Sequence, residues 1–467
     1  MKIIKNDIFA VLFQPAFAAV LCGLFFFSSL STFAQQNSES ARREIIQYGT
    51  EIEIEALIQS LKTENAEYLD SELIELAQNS RNHKVLIGIF SFFGDRKKDG
   101  LEERALRVIS QRENETNETV HSAMDYLGKI KCPQAVPVIM ELLDTEERRF
   151  LSTGFRALSL ASSGDKALAD ETAEFLIEYY TYREPGSDNR SILINAIGAT
   201  GSDVGIELLS DIATNTDERI PLRMAALDAL SKIGNDEGLK AILVCIGTND
   251  PNVRSAAVGA LGPFSGPDVD KAILDGFRDS YYRTRIASAQ AARDRKLAAA
   301  VPFLKFRAER DDVPNVKDEA IRALGAIAND EALEVLESLF LDRKNSERVR
   351  VLSADLLMKH TASKNFTRLV LELDEAKSKN QTNLYNGFLR VVGAAVLGEN
   401  VTEIESLARS FMRSGTVIEK LYGLDMALNN RLTNLDAEII TLAKDRNEGI
   451  ARKASRIAET LGIEIPE

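Results

Sequence analysis

Apolar residues recur three and four positions apart in short runs of this chain, and the runs themselves recur. RMAALDALSKIG (223–234), RSAAVGALGPFS (254–265) and KDEAIRALGAIA (317–328) open on a basic residue. Each has small residues three and six positions on and an aliphatic residue seven on. Looser copies are HKVLIGIFSFFG (83–94), VHSAMDYLGKIK (120–131), LSTGFRALSLAS (151–162) and RSILINAIGATG (190–201). Others are RIASAQAARDRK (285–296), RVLSADLLMKHT (350–361), YNGFLRVVGAAV (385–396), KLYGLDMALNNR (420–431) and ARKASRIAETLG (451–462). Their starts lie 31 to 39 residues apart, the period of a helical solenoid. The spacing within each run puts the apolar residues on one face of a helix.

A turn follows many of these helices, often Gly with Asp or Asn: Gly94-Asp95, Gly164-Asp165 and Gly234-Asn235. Glycine is expected to take the left-handed conformation that ends the first helix, and the Asp or Asn side chain to cap the next. The segments after the turn, such as QAVPVIMELL (134–143), EGLKAILVCIG (237–247) and EALEVLESLFL (331–341), are amphipathic again. One such hairpin cannot stand alone. Ordering a residue costs roughly 1.5 kcal/mol, and two short helices bury too little apolar surface to offset thirty of them. The prediction is an all-α protein: a right-handed α-solenoid of about twelve helical hairpins over residues 80–467, with 35–79 as an irregular helical cap. The near absence of helix breakers, 11 prolines in 467 residues, agrees with this.

The repeats resemble HEAT repeats, in particular the short kind of phycobilisome-lyase-like proteins. The likeness is most specific at Asp250-Pro251-Asn252-Val253-Arg254 followed by SAAVGAL. It is poorest over residues 35–80 and at the copy in which Tyr385 replaces the basic residue. The resemblance implies a solenoid with a groove lined by second helices. It does not by itself imply a partner.

The first 34 residues differ from the rest. Lys2 and Lys5 precede an apolar stretch, densest from Ala16 to Leu30, and Thr32-Phe33-Ala34 supplies small residues at the spacing a signal peptidase reads. Cleavage after Ala34 and export to the periplasm or cell envelope are the expectation; an uncleaved anchor is the alternative. The formal net charge of −14 opposes wholesale binding of nucleic acid. Only three cysteines occur, so packing rather than a disulfide framework is expected to hold an exported chain.

Signatures of chemistry are sparse. His83, His121 and His360 fall in different repeats, and none is followed by Glu. Iron hydroxylases built on HEAT-like repeats, such as deoxyhypusine hydroxylase, use paired His-Glu motifs, so that activity is not expected here. Cys132 and Cys245 lie repeats apart and read as packing residues. There is no phosphate-cradling Gly-rich loop and no Gly-x-Ser-x-Gly elbow. No cofactor, no metal site and no catalytic residue is predicted. The recurring Arg223, Arg254, Arg285, Lys317 and Arg350, preceded by Asp217, Asp250, Asp279 and Asp312, read as a structural ladder between repeats.

One segment departs from the pattern. Lys271 to Arg310 holds ten basic residues against Asp275, Asp279, Asp294 and Glu309, a net of +6 within an acidic protein. Arg295-Lys296 stands where a turn glycine is usual. Arginine with tyrosine is a composition enriched where proteins bind. Arg278, Tyr281, Tyr282, Arg283, Arg293, Arg295, Lys296 and Arg307 are therefore the predicted contacts for an acidic protein partner. The alternative is that these arginines pair with neighbouring acids such as Asp311 and Asp312. A second candidate is the long connection 179–188 with Tyr179, Tyr180 and Tyr182. The function expected is that of a non-catalytic scaffold or adaptor in the cell envelope, against a rival reading as an enzyme or enzyme subunit of the phycobilisome-lyase-like class. A structural part of an envelope machine would share the scaffold's features.

Overall fold

In the computed structural model the chain is described at residues 39–183, 186–398 and 401–466; the expected leader and the expected cleavage after Ala34 lie outside them. The described residues form helices joined by turns, with no strand among them. None of these helices is long and apolar enough to cross a membrane.

The chain divides between Leu208 and Leu209 into two units. The first opens with helix Glu39–Tyr48. Four hairpins follow: Glu51–Glu64 with Asp70–Asn79, His83–Asp95 with Glu102–Ser110, Asn117–Lys129 with Ala135–Asp144, and Arg148–Ser162 with Lys166–Tyr182, before helix Ser187–Thr200. Of residues 35–79, expected as an irregular helical cap, 39–79 are described; they form three helices, and Glu51–Glu64 packs on His83–Asp95 as later first helices pack on one another.

The second unit carries seven hairpins after helix Ile206–Thr214. They are Ile220–Ile233 with Asp236–Ile246, Pro251–Gly259 with Pro267–Gly276, Tyr282–Asp294 with Val301–Arg310, and Pro314–Ile327 with Asp330–Leu341. Then come the two arms of Glu347–Ser378, Thr382–Ala394 with Thr402–Ser414, and Val417–Asn429 with Asp436–Ala443; Glu448–Leu461 closes the unit. Within each unit, first helices stack on first helices, as Pro251–Gly259, Tyr282–Asp294 and Pro314–Ile327 do in succession. The small residues of the repeat sit in these seams: Ala226, Ala229, Ala257, Ser288, Ala320 and Ala323 are fully buried. This is the α-solenoid arrangement, in which each hairpin buries its apolar face against the next.

Some turns follow the predicted chemistry. Gly234 is left-handed at φ 72°, and Asn235 accepts from the Glu237 N–H at 2.8 Å. Asp165 accepts from Leu168 N–H at 3.1 Å, although Gly164 before it is not left-handed as expected, and Asp250 caps Pro251–Gly259 through the N–H groups of Asn252 and Val253. The Gly94-Asp95 turn does not form as expected. Both residues remain helical, and Lys97 is the left-handed residue at φ 52°. Gly94 lies instead against the next first helix, where a Cβ would stand at ordinary contact distance, 3.4 Å, from the Cα of Tyr126.

The basic ladder is present, and its main partners are backbone carbonyls. Arg223 Nε donates to Ala213 O at 2.9 Å, Arg254 to Thr248 O and Asn249 O, Lys317 to Glu309 O at 2.9 Å, and Arg350 to Phe340 O at 3.0 Å. Each residue thus satisfies carbonyls that the preceding second helix leaves unpaired at its C-terminal end. Carboxylates further along the chain then hold the same guanidinium groups: Asp279, in the turn before the next hairpin, for Arg254, and Glu372, on the second arm of the same hairpin, for Arg350. The repeat 350–361 has no turn at all. Its two helices run on as one element, broken only by non-helical Thr361 at φ −137°.

Candidate functional site

The second helix of the basic repeat, Val301–Arg310, carries two faces. Val301, Leu304 and Ala308 are buried against its neighbours. Phe303, Phe306, Arg307 and Arg310, at i, i+3, i+4 and i+7, share another side of the helix. Phe303 stacks on buried Phe277 with ring centroids 5.8 Å apart, and the Arg278 guanidinium lies over the Phe303 ring at 4.9 Å. Phe306 is 48% exposed, and Arg307 and Arg310 lie over its ring at 5.2 and 5.5 Å. Cation–aromatic contacts of this kind are worth about 0.5–1 kcal/mol at an exposed site. They hold the guanidinium groups over apolar surface; of the three, Arg310 has no carboxylate partner among the described residues.

Arg278, Pro302, Phe303, Phe306 and Arg307 line an open cavity of about 380 Å³. Arg310, beside it, also borders a polar cavity of about 610 Å³ with Lys317, Lys344, Glu309, Asp342 and Ser346. Arg278 pairs with Asp275 at 2.9 Å and Arg307 with Asp311 at 3.3 Å. Among the described residues, no carboxylate lies within ion-pair distance of exposed Arg310 or Lys305.

The other predicted contacts lie elsewhere in the repeat. Tyr281 and Tyr282 meet edge to face at 5.4 Å at the start of helix Tyr282–Asp294. Tyr281 donates its hydroxyl to Asn252 Oδ1, and exposed Arg283 reaches the Tyr282 hydroxyl at 3.2 Å. Arg293, Arg295 and Lys296 stand at the other end of that helix. Arg293 is paired with Glu319 and with Asp294, and Arg295 with Asp270 at 2.6 Å. Lys296 is the left-handed residue that ends the turn, at φ 49°. The eight residues therefore do not converge. Arg278 and Arg307 line the cavity, Arg293 and Arg295 are engaged by acids of the fold, and Arg285 is bound by Asp311 and Asp312. Phe303, Phe306 and Arg310 were not singled out from the sequence. The available signal was two phenylalanines three apart, offset from the positions that bury the helix.

In the connection 179–188, Tyr179 is buried with its ring edge-on to Phe155 at 4.9 Å, and Tyr182 is 78% exposed. The histidines are dispersed. His83 faces Glu115 at 3.2 Å, the His121 ring packs on Phe150, and His360 Nε2 lies 2.8 Å from Gly325 O. Burial lowers the His121 pKa. Cys132 and Cys245 are buried free thiols whose pKa burial pushes up. Among the described residues, no group of three or more His, Cys, Asp or Glu could hold a metal ion.

A deoxyhypusine hydroxylase of Candida albicans (strain SC5314) is similar to the chain at 26% identity over 297 residues, which is 61% of this chain and 89% of that protein. Among solved structures, Kap121p bound to Pho4p matches at 12% identity and a TM-score of 0.44, over 90% of this chain and 53% of that one. The chain thus spans about half the length of the Kap121p chain it matches. Human deoxyhypusine hydroxylase in complex with glycerol matches at 17% identity and a TM-score of 0.25, over 58% of this chain and 98% of that one. The sequence profile of one family, by contrast, runs through both units, over residues 46–457. On that match, with hairpins stacked throughout each unit, the chain belongs to the spirochaete HEAT repeat proteins.

Proposed function

We propose that this protein is an exported, non-catalytic scaffold of the cell envelope that binds a protein partner on the second-helix face around Phe303 and Phe306. The observation that carries this reading is the second face of helix Val301–Arg310. Two phenylalanines and two arginines lie off the buried positions of this helix, and of these Phe306 and Arg310 are exposed. Aromatic and arginine side chains are the usual anchors of protein interfaces. A solenoid presents them on a preformed surface, so little conformational entropy is lost on binding.

The similarity to deoxyhypusine hydroxylase favours a second, catalytic reading. Against it, the three histidines sit in separate hairpins, each within local contacts, and none is followed by Glu. Metal analysis of the purified chain separates the two readings: stoichiometric iron would favour the enzyme.

The test of the scaffold is capture from native envelope extracts on immobilised full chain, beside the Phe306→Ala/Arg310→Glu variant. Both side chains are exposed, so the variant is expected to keep its helicity. Co-purifying protein that is lost with the variant supports the reading. Identical capture by both places any binding elsewhere. Cell fractionation with N-terminal sequencing of the mature chain tests export, with Gln35 the expected first residue.

A further inference from the structure

We propose that the partner enters this site as a peptide segment with one apolar side chain followed by carboxylates, the apolar group seated between Phe303 and Phe306 and the acids beyond it on Arg310, Lys317 and Lys344. This rests on the binding face proposed above and specifies what occupies it. Three observations converge on that chemistry.

The first cavity has an apolar floor. Pro302, Phe303 and Phe306 line it, Phe277 supports Phe303 from beneath the surface, and its charged borders are Arg278 and Arg307. A site of this size takes one or two side chains, and its lining rewards an aliphatic or aromatic one.

The second observation is a change of polarity along the surface. Arg310 lies on the Phe306 ring and also borders the polar cavity, so it stands between the apolar and polar sites. Lys317 and Lys344 border that second cavity, where Ser346 caps helix Glu347–Ser378. Its two carboxylates are Glu309 and Asp342, and Asp342 is engaged by the Lys344 N–H at 2.9 Å. Positive side chains and the start of a helix together favour an anionic group there.

Third, the charge is unmatched locally and reversed globally. Exposed Arg310 has no acid of the described chain within ion-pair distance, although the protein as a whole carries −14. That overall charge repels an extended polyanion such as nucleic acid, whereas a short segment feels mainly the field within a screening length of roughly 8–10 Å. An apolar side chain beside carboxylates fits both cavities in sequence. A bare phosphate or sulfate leaves the phenylalanines without a contact.

The experiment is selection from a random peptide library on immobilised full-length chain, followed by fluorescence anisotropy of the selected peptides. Controls are Phe306→Ala, Arg310→Glu and, on a different surface, Arg452→Glu. The expected result is enrichment of acidic peptides with an aliphatic or aromatic anchor. Their affinity should fall at least about tenfold with either site variant and stay unchanged with Arg452→Glu. Replacing the anchor by alanine, or raising the salt, should each weaken binding.

No enrichment, enrichment of neutral or basic peptides, or binding indifferent to Phe306 and Arg310 overturns the proposal. So does equal competition by inorganic polyphosphate or by anionic vesicles, which would identify a general anion surface. If envelope capture still depends on Phe306 and Arg310 while the selected peptides are not acidic, the scaffold stands and only this occupant falls. If capture by the full chain ignores both residues, the binding face itself is lost.

Discussion

Arg285 and Asp311 form a buried two-point pair, Nε to Oδ2 and Nη2 to Oδ1 both at 2.8 Å, between one hairpin and the turn that opens the next. Arg285 also donates to the carbonyls of Asp279 and Ser280, so one guanidinium ties three successive elements. Removing one member of such a pair leaves a buried charge, at a cost of about 3–5 kcal/mol. Arg307 and the Val313 N–H also reach Asp311, which places Arg285→Met near the lower end. Hydrogen exchange should show roughly hundredfold faster opening across 282–310 and 314–327. Residues 83–144 should be unaffected, because a repeat array passes strain chiefly to its neighbours. Arg285→Met/Asp311→Leu should recover much of the loss; no recovery would mean that the arginine acts through the carbonyls rather than the carboxylate.

That pair marks how far the sequence could be read. The period, the buried alanines and the Asp or Asn caps are local properties, so apolar spacing and turn chemistry reveal them. The arginine at each first-helix start was legible as structural, but not the carbonyls it would satisfy, because those depend on where the preceding helix ends. The candidate site was half legible. A charge sum over 271–310 cannot separate Arg293, held by Glu319, from Arg310, which no acid among the described residues holds. Phe306 is exposed because Val301, Leu304 and Ala308 already fill the buried side of its helix, and that division depends on how the helix is seated on its neighbours.

Tyr385, where the repeat lacks its basic residue, acts through Glu419. The Glu419 carboxylate is 2% exposed and accepts from the Tyr385 hydroxyl, from Lys377 Nζ at 2.6 Å and from Thr416 N–H at 2.6 Å. Burial alone would raise its pKa. These donors outweigh burial and hold it at about 2, below the usual 4.5. A carboxyl whose folded pKa is depressed stabilises fully above its unfolded pKa, and that stability is lost as pH falls through the folded value. Glu419→Gln should therefore lose on the order of 2 kcal/mol at neutral pH. The gap from the parent should close between about pH 4.5 and pH 2. Exchange protection of helices Thr382–Ala394 and Val417–Asn429 measured across that range tests it; a gap independent of pH would rule out the carboxylate charge as its source.

Lys296 ends its turn in the left-handed region, at φ 49°, where a side chain is disfavoured and glycine is not. Lys296→Gly should be neutral or stabilising by a few tenths of a kcal/mol, since relief of strain is set against a more flexible unfolded chain. Lys296→Val, whose branched Cβ tolerates this region poorly, should destabilise by about 1 kcal/mol. Thermal unfolding of both variants checks the order. Envelope capture by Lys296→Gly then reports whether the ammonium contributes to binding, free of any loss of fold.

Gly128 tests the seam on which the stacking depends. Helix Asn117–Lys129 passes so close to Arg148–Ser162 that a Cβ at Gly128 would stand 3.0 Å from the Cα of Ala157 and 3.2 Å from its carbonyl oxygen. Both obstacles are backbone, and no rotamer change relieves them. Helix propensity alone favours Gly128→Ala by about 0.8–1 kcal/mol, so an exposed helix would gain. Here overpacking opposes that gain at about 1–3 kcal/mol, and separating the helices also loosens Leu127, Leu158 and Phe155 around the seam. The expected outcome is net destabilisation by about 1–2 kcal/mol, read as earlier thermal unfolding and lost exchange protection over 117–162. Gly164→Ala, where the nearest atom is 4.0 Å away, should show no such loss. Equal behaviour of the two variants would mean that the first helices can slide apart without penalty and that the small residues of the repeat do not set their spacing.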